Sequence, residues 1–259
     1  PRRGQSPGRF LKPRAITIDR DDQLYIVDTT GRIQVFDRDG KWLRQWRTPQ
    51  TKNGRPTGLA VQQADRREDD LLLVADTHYY RMLVYSLDGQ RKPELEIGGT
   101  AGRNPGEFAF VTDAVADPSG CVYIGEYGDS DRIQKFDPDG QFVTQWGGTG
   151  RDPEQFVRPQ SLVISGDILW IADACNHRIQ RYDIGGPSPK WIDVIGGQGR
   201  GPGQFYYPYD LALLDDGGVL VCEDGNQRVQ RLDADGKAEA VWGSPGFEPG
   251  QLYQPWGLV

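Results

Sequence analysis

The feature that most constrains this chain is a block that returns five times. It reads Gly31-Arg32-Ile33-Gln34-Val35-Phe36-Asp37, then Arg81-Met82-Leu83-Val84-Tyr85, Asp131-Arg132-Ile133-Gln134-Lys135-Phe136-Asp137, His177-Arg178-Ile179-Gln180-Arg181-Tyr182-Asp183 and Gln227-Arg228-Val229-Gln230-Arg231-Leu232-Asp233. The arginines at 32, 81, 132, 178 and 228 stand 49, 51, 46 and 50 residues apart. A period of this length marks a supersecondary unit that cannot bury its own apolar faces and stacks on copies of itself.

Each unit reads as four short strands. An apolar run ending in an acid precedes the arginine: Leu24-Tyr25-Ile26-Val27-Asp28, Leu72-Leu73-Val74-Ala75-Asp76, Val122-Tyr123-Ile124-Gly125-Glu126, Leu169-Trp170-Ile171-Ala172-Asp173 and Leu220-Val221-Cys222-Glu223. Continuous β-branched and aromatic runs suit a strand covered on both faces. A shorter apolar strand comes before it, opened by Pro13, Pro56, Pro159 or Pro208, and proline is tolerated at a strand's first position. After the arginine block, turns such as Asp37-Arg38-Asp39-Gly40 and Asp137-Pro138-Asp139-Gly140 reverse the chain into a fourth strand. That strand carries Trp46, Ile97, Trp146, Ile195 or Trp242 near its end. The 34 Gly and 18 Pro fit many short strands joined by tight turns. The expectation is all-β: a β-propeller of four-stranded antiparallel blades forming one domain over 1–259, with blades near 10–50, 54–99, 108–148, 156–197 and 205–243. Linkers such as Pro105-Gly106-Glu107-Phe108, Pro153-Glu154-Gln155-Phe156 and Pro202-Gly203-Gln204-Phe205 pin one blade to the next. The second blade fits worst, with a charged insert over 62–70 and no Pro-Gly-x-Phe linker at its entrance.

The match of Ile171-Ala172-Asp173 with Asn176-His177-Arg178-Ile179-Gln180 is close enough that the chain resembles the NHL-repeat family, and the resemblance runs through nearly all of it. It implies a six-bladed propeller. Gln254-Pro255-Trp256-Gly257-Leu258-Val259 repeats a blade's opening strand and then stops, so the expectation is five complete blades and a sixth begun at 252–259. The missing strands would come from a longer parent protein or from a second chain adding strands to the open blade.

Charge argues about partners. The net charge of −7 excludes generic nucleic-acid binding, including the RNA binding of some animal relatives. It is lopsided, however: residues 1–55 hold 13 Lys/Arg against 6 Asp/Glu, and the remainder 17 against 31. No apolar run is long enough to span a bilayer. Cys121, Cys175 and Cys222 are too few and too irregular for a disulfide framework and read as small buried hydrophobes. Resemblance to secreted propellers, and not any residue, points to a bacterial periplasmic or extracellular setting.

The pairs Asp28/Arg32, Asp76/Arg81, Glu126/Arg132, Asp173/Arg178 and Glu223/Arg228 recur in every blade, which favours scaffold ion pairs over catalysis. Enzymes on related six-bladed scaffolds, such as amidating lyases, lactonases and streptogramin lyases, are implied by resemblance to place metal or acid–base groups in a central channel. The two histidines, His78 and His177, rule out a three-His zinc site within this chain. Asp113 and Asp210 replace small residues on first strands, giving a candidate Ca²⁺ site or acid–base pair. Loop aromatics Tyr79, Tyr80, Tyr206, Tyr207, Tyr209 and Trp256 are candidates for recognition. The expected function is a non-catalytic platform without a cofactor that binds a protein, peptide or glycan through loops on one face. The alternative is a lactonase-like or amidating-lyase-like enzyme with a divalent metal.

Overall fold

The computed structural model describes residues 3–128 and 130–259. Its strands form five four-stranded antiparallel sheets, the blades of a β-propeller, each hydrogen-bonded in chain order. The first blade is β1 (Pro13–Ile18), β2 (Leu24–Asp28), β3 (Arg32–Phe36) and β4 (Trp42–Arg47). The second is β5 (Gly58–Gln62), β6 (Leu71–Asp76), β7 (Arg81–Ser86) and β8 (Ile97–Gly98). The third is β9 (Phe110–Ala116), β10 (Val122–Tyr127), β11 (Arg132–Phe136) and β12 (Phe142–Gly147). The fourth is β13 (Pro159–Ser165), β14 (Ile168–Asp173), β15 (Arg178–Asp183) and β16 (Lys190–Gly196), and the fifth β17 (Pro208–Leu213), β18 (Val219–Glu223), β19 (Arg228–Leu232) and β20 (Ala238–Trp242). The chain divides into two compact units, Pro1–Ile124 with Gln134–Val143, and Gly125–Ile133 with Thr144–Val259. The first unit holds blades one and two whole, the second holds blades four and five whole, and the third sheet contributes strands to both.

The expected six-bladed ring with an incomplete sixth blade is corrected here. Among the described residues five sheets form, and the segment 254–259 joins no strand ladder. A strand is defined by its partner's N–H and C=O groups, and this segment, despite its first-strand pattern, meets none in a ladder. Leu258 instead donates its N–H to Asp210 Oδ2 at 2.8 Å.

The conserved geometry of the blades comes from one repeated latch. In blade four Asp173 faces Arg178 across the turn from β14 to β15, and Arg178 Nε lies 2.8 Å from Asp173 Oδ2. The remaining guanidinium N–H groups reach outward to the entering linker: Nη1 donates to Arg151 O at 2.8 Å, and Nη2 to Asp152 O and Gln155 O at 2.8 Å each. Gln180, two residues on and therefore on the same face of the strand, accepts from Glu154 N at 3.0 Å and donates to Gln155 O at 2.7 Å. Blade five repeats every contact with Glu223, Arg228 and Gln230, the ion pair at 2.6 Å. The pairs Asp28–Arg32 and Glu126–Arg132 close at 2.9 and 2.5 Å, and Asp76–Arg81 at 2.9 Å. Gln34 and Gln134 hold the Gly8 and Gly106 amides at 2.9 Å. Blade two has Leu83 where the others have the glutamine, and its Arg81 reaches Gln50 Oε1 instead.

The linkers entering blades three, four and five each insert one ring. Phe108, Phe156 and Phe205 are fully buried, and each linker pairs in parallel with the chain leaving the preceding blade, Thr149 with Phe156 and Gln198 with Phe205. Gly147 (φ +100°) makes room for Phe156: a Cβ there would lie 2.7 Å from the ring. Within the first unit, Leu59, Val74 and Leu83 pack on Val27, Ile33 and Val35 between blades one and two. Within the second, Trp170, Ala172 and Ile179 pack on Leu211, Val221 and Leu232 between blades four and five.

Candidate functional site

Two backbone devices recur where first strands begin and second strands end. The residue before the proline that opens a first strand stands at positive φ at Lys12 (55°), Arg158 (64°) and Tyr207 (53°), and Gln254, before Pro255, shares the conformation (47°) although no strand follows it among the described residues. Just past the proline the register slips, between Pro13 and Ala15, Pro159 and Ser161, and Pro208 and Asp210, leaving Arg14, Gln160 and Tyr209 as bulged residues without a cross-strand partner. Bulges re-aim side chains in this way. The turn from second to third strand ends on a left-handed residue as well: Gly31 (69°), Tyr80 (59°), His177 (58°) and Gln227 (54°). Left-handed conformation costs a non-glycine residue about 1–2 kcal/mol, and the neighbouring chain holds it in place. Ala174 N and Cys175 N donate to Arg158 O and Val157 O at 3.1 and 3.0 Å, and Asp224 N and Gly225 N donate to Tyr207 O and Tyr206 O at 3.0 Å each. Asp173 accepts the Val157 amide at 2.8 Å, and Glu223 accepts that of Tyr206 at 2.9 Å.

In the second unit these devices bring aromatic rings together. His177 lies 4.9 Å from Tyr206 and 4.6 Å from Tyr207, centroid to centroid; Tyr206 and Tyr207 are 4.8 Å apart. The array continues through Tyr209, 6.2 Å from Tyr207, to Trp256, 4.8 Å from Tyr209. Arg158 slots between two rings, its guanidinium 4.9 Å from the centre of Tyr127 and 5.3 Å from that of Tyr209, while its Nε donates to Gln160 Oε1 at 2.8 Å. These ring side chains are half-buried. Tyr207 N donates to His177 Nδ1 at 3.2 Å, which leaves that nitrogen as an acceptor and places the imidazole proton on Nε2. Burial, reinforced by Arg151, holds the His177 imidazole below its ordinary range. Burial pushes Asp224 up, against the opposing pull of Arg158. A cavity of about 180 Å³ beside the array is lined by Arg151, Cys175, Asn176, His177, Arg178 and Gln198. The Cys175 thiol is pushed up by burial, so it is a protonated thiol and not an activated nucleophile at neutral pH.

The structure gathers Tyr206, Tyr207, Tyr209 and Trp256 into this array. Tyr79 and Tyr80 lie in the first unit, where Tyr79 Oη accepts the Asn53 amide at 2.9 Å beneath the Arg81 guanidinium and Tyr80 packs against the apolar core. Asp113 lies in the first unit over Gly58, where a Cβ would come within 3.0 Å of its Oδ1. Asp210 lies in the second, accepting from Ser161 Oγ at 2.8 Å and Leu211 N at 3.1 Å on Oδ1, and from Leu258 N on Oδ2. Three donors already occupy that carboxylate, and among the described residues no three His, Cys, Asp or Glu side chains come together as metal ligands. This does not fit Ca²⁺, which takes six to eight oxygens. Of the three cysteines, Cys222 is buried, whereas Cys121 and Cys175 are only half-buried, against the sequence expectation.

Sequence reasoning missed His177, Arg158 and Tyr127. The signal was available: Arg158 and Tyr207 both stand directly before a strand-opening proline, so aligning repeats on their prolines places them at one site.

The model for the NHL repeat matches residues 156–182, which run from the buried linker phenylalanine through β13, β14 and β15. Peptidyl-glycine alpha-amidating monooxygenase of Mus musculus is 35% identical over 171 residues, 62% of this chain and 16% of that protein. NHL repeat-containing protein 3 of Homo sapiens is 28% identical over 164 residues, 60% of this chain and 46% of that protein. The chain thus spans less than half the length of these curated relatives. In fold it is similar to a chain in the crystal structure of a nidogen/laminin complex, with TM-score 0.65 and 19% identity over 95% of this chain and 83% of that one. Repeat sequence, blade architecture and these relatives agree: the chain is a β-propeller of four-stranded blades that carries an NHL repeat at residues 156–182 and is similar to NHL-repeat proteins.

Proposed function

We propose that this propeller is a binding module that holds a peptide or a protein segment on the loop face of blades four and five. One observation carries the reading: the unbroken array from His177 through Tyr206, Tyr207 and Tyr209 to Trp256, with Arg158 stacked beside it. Tyr, Trp and Arg are the residue types that dominate binding energy at interfaces, because they bury large areas with few rotatable bonds. Here the latch and the positive-φ turns hold them in place before any partner arrives, which lowers the ordering cost of binding. Panning a displayed peptide library on the whole chain should enrich binders, and Tyr207→Ala and Trp256→Ala should each weaken those peptides about tenfold or more. Binders indifferent to both substitutions would overturn the reading.

The second reading, a lactonase-like or amidating-lyase-like enzyme, is favoured by the sequence likeness to the mouse amidating monooxygenase over 62% of this chain. It requires a divalent ion to co-purify with the chain in stoichiometric amount, which elemental analysis measures directly.

A further inference from the structure

Four of the thirteen Lys/Arg of residues 1–55 meet in one place. In the first unit a cavity of about 340 Å³ is lined by Lys12, Arg14, Lys52, Arg55 and His78, together with small polar residues such as Thr29 and Thr51, and among the described residues lining it there is no acid. The backbone devices that display aromatics on blades four and five here display cations. Lys12 is the positive-φ residue before Pro13, and Arg14 is the bulged residue after it. Arg55 precedes Pro56, and His78 sits in the turn Thr77–Tyr79.

The carboxylates that end the second strands of blades one and two, Asp28 and Asp76, each pair with the arginine of their own blade. Asp28 accepts from Leu11 N, from Thr30 N and Oγ1, and from Arg32; Asp76 accepts from Arg81. Lys12, Lys52 and Arg55 make no ion pair among the described residues. The imidazole of His78 registers the resulting field: burial first, then Arg14 and Arg55, hold it below its ordinary range. Its ring is seated edge-on to Phe110 at 5.3 Å and against Gly54, where a Cβ would lie 2.1 Å from the imidazole carbon. Its Nδ1 is buried without a hydrogen-bond partner.

We propose that this pocket binds the phosphate or sulfate group of a small-molecule ligand. A tetrahedral oxyanion offers more acceptor oxygens than a carboxylate to the forked arginines and point-charge lysines, and a phosphate group also brings nearly two negative charges against one. The volume leaves room for an attached body of modest size. A nucleic-acid strand needs a track of cations along the surface. The cations here converge on one concavity, in a chain that carries −14 beyond residue 55, from 17 Lys/Arg against 31 Asp/Glu.

The chain has two histidines, so imidazole resonances report on this pocket and on the aromatic array separately. Inorganic phosphate, sulfate and acetate are titrated into the whole chain against sodium chloride at matched ionic strength. Saturable movement of the His78 resonances with phosphate or sulfate, weak or absent with acetate and chloride, is expected, and the tighter of the two oxyanions identifies the ligand's head group. The double variant Lys52→Ala/Arg55→Ala, both exposed loop residues, should raise the dissociation constant at least about tenfold, while Lys41→Ala changes it less than twofold. Movement of His78 by chloride to the same extent overturns the proposal, as does a double variant that binds unchanged. A ten-nucleotide single strand binding this pocket far more tightly than phosphate would also overturn it, in favour of a nucleic-acid surface.

Discussion

Each blade closes its second strand on a carboxylate that meets an arginine, yet these acids do not titrate alike. Asp28 feels burial pushing it upward, but the Thr30 hydroxyl and amide, the Leu11 amide and Arg32 outweigh it and hold it below the usual range. At Asp173 burial wins over Asn176, the Val157 amide and Arg178, and the carboxyl is raised. The signs are opposite under linkage. A lowered carboxyl contributes stability that is present above the unfolded value near 3.9 and is lost as pH falls through the folded one. A raised carboxyl contributes stability that is present below that value and is lost as pH rises through the folded one. Asp28→Asn should therefore flatten the fall in urea midpoint below about pH 4, and Asp173→Asn should remove the loss of stability that sets in as pH rises above about 4. Parallel curves for the two variants and the wild type would contradict this assignment. The pairing itself was legible, because in every blade an acid recurs four to six residues before the arginine. The difference between blades was not, since it rests on which amides the neighbouring loop brings within reach.

At the scale of the element, the linkers were readable and the tail was not. Pro-x-x-Phe spacing marked Phe156 and Phe205 as anchors, and both are fully buried. The opening-strand pattern at Pro255-Trp256-Gly257 is as good as that at Pro56-Thr57-Gly58, but pattern describes one strand and a ladder needs two. Hydrogen-bond partners are non-local and leave no mark in the segment itself. The linkers support a sharper test. Gly147 stands at φ +100° with the Phe156 ring 2.7 Å from where a Cβ would go, whereas Gly106 stands at φ +77° with nothing within 4 Å. Gly106→Ala should cost about 1–2 kcal/mol from backbone strain alone. Gly147→Ala adds a clash with a buried ring and should cost about 1–3 kcal/mol more. Thermal melts of the two variants measure the gap, and equal melting temperatures would remove Phe156 as the reason for that glycine.

Across the whole molecule one backbone plan is dressed with two chemistries. The positions flanking Pro13 and Pro56 carry Lys12, Arg14 and Arg55 in the first unit, and those flanking Pro159 and Pro208 carry Arg158, Tyr207 and Tyr209 in the second. The charge imbalance was visible in the sequence, but its convergence on a pocket depends on turns that place residue 78 beside residues 14 and 55. The two surfaces share no residue, so their energetics should add. Tyr207→Ala is expected to leave oxyanion affinity within about twofold, and Lys52→Ala/Arg55→Ala to leave peptide affinity within the same margin; coupling beyond it in either titration would show that the surfaces communicate.

The latch holds one further implication for how such a chain can change. Arg178 and Arg228 grip their linkers through peptide oxygens, at Arg151, Asp152 and Gln155 and at Arg200, Gly201 and Gln204, and never through a linker side chain. A clasp that reads only main chain is blind to the letters it holds. Apart from the ring that plugs the seam and from Gln155 and Gln204, whose side chains accept the Asp152 and Gly201 amides at 3.2 and 3.0 Å, those stretches are therefore free to drift or be rewritten while the blades they join keep their spacing.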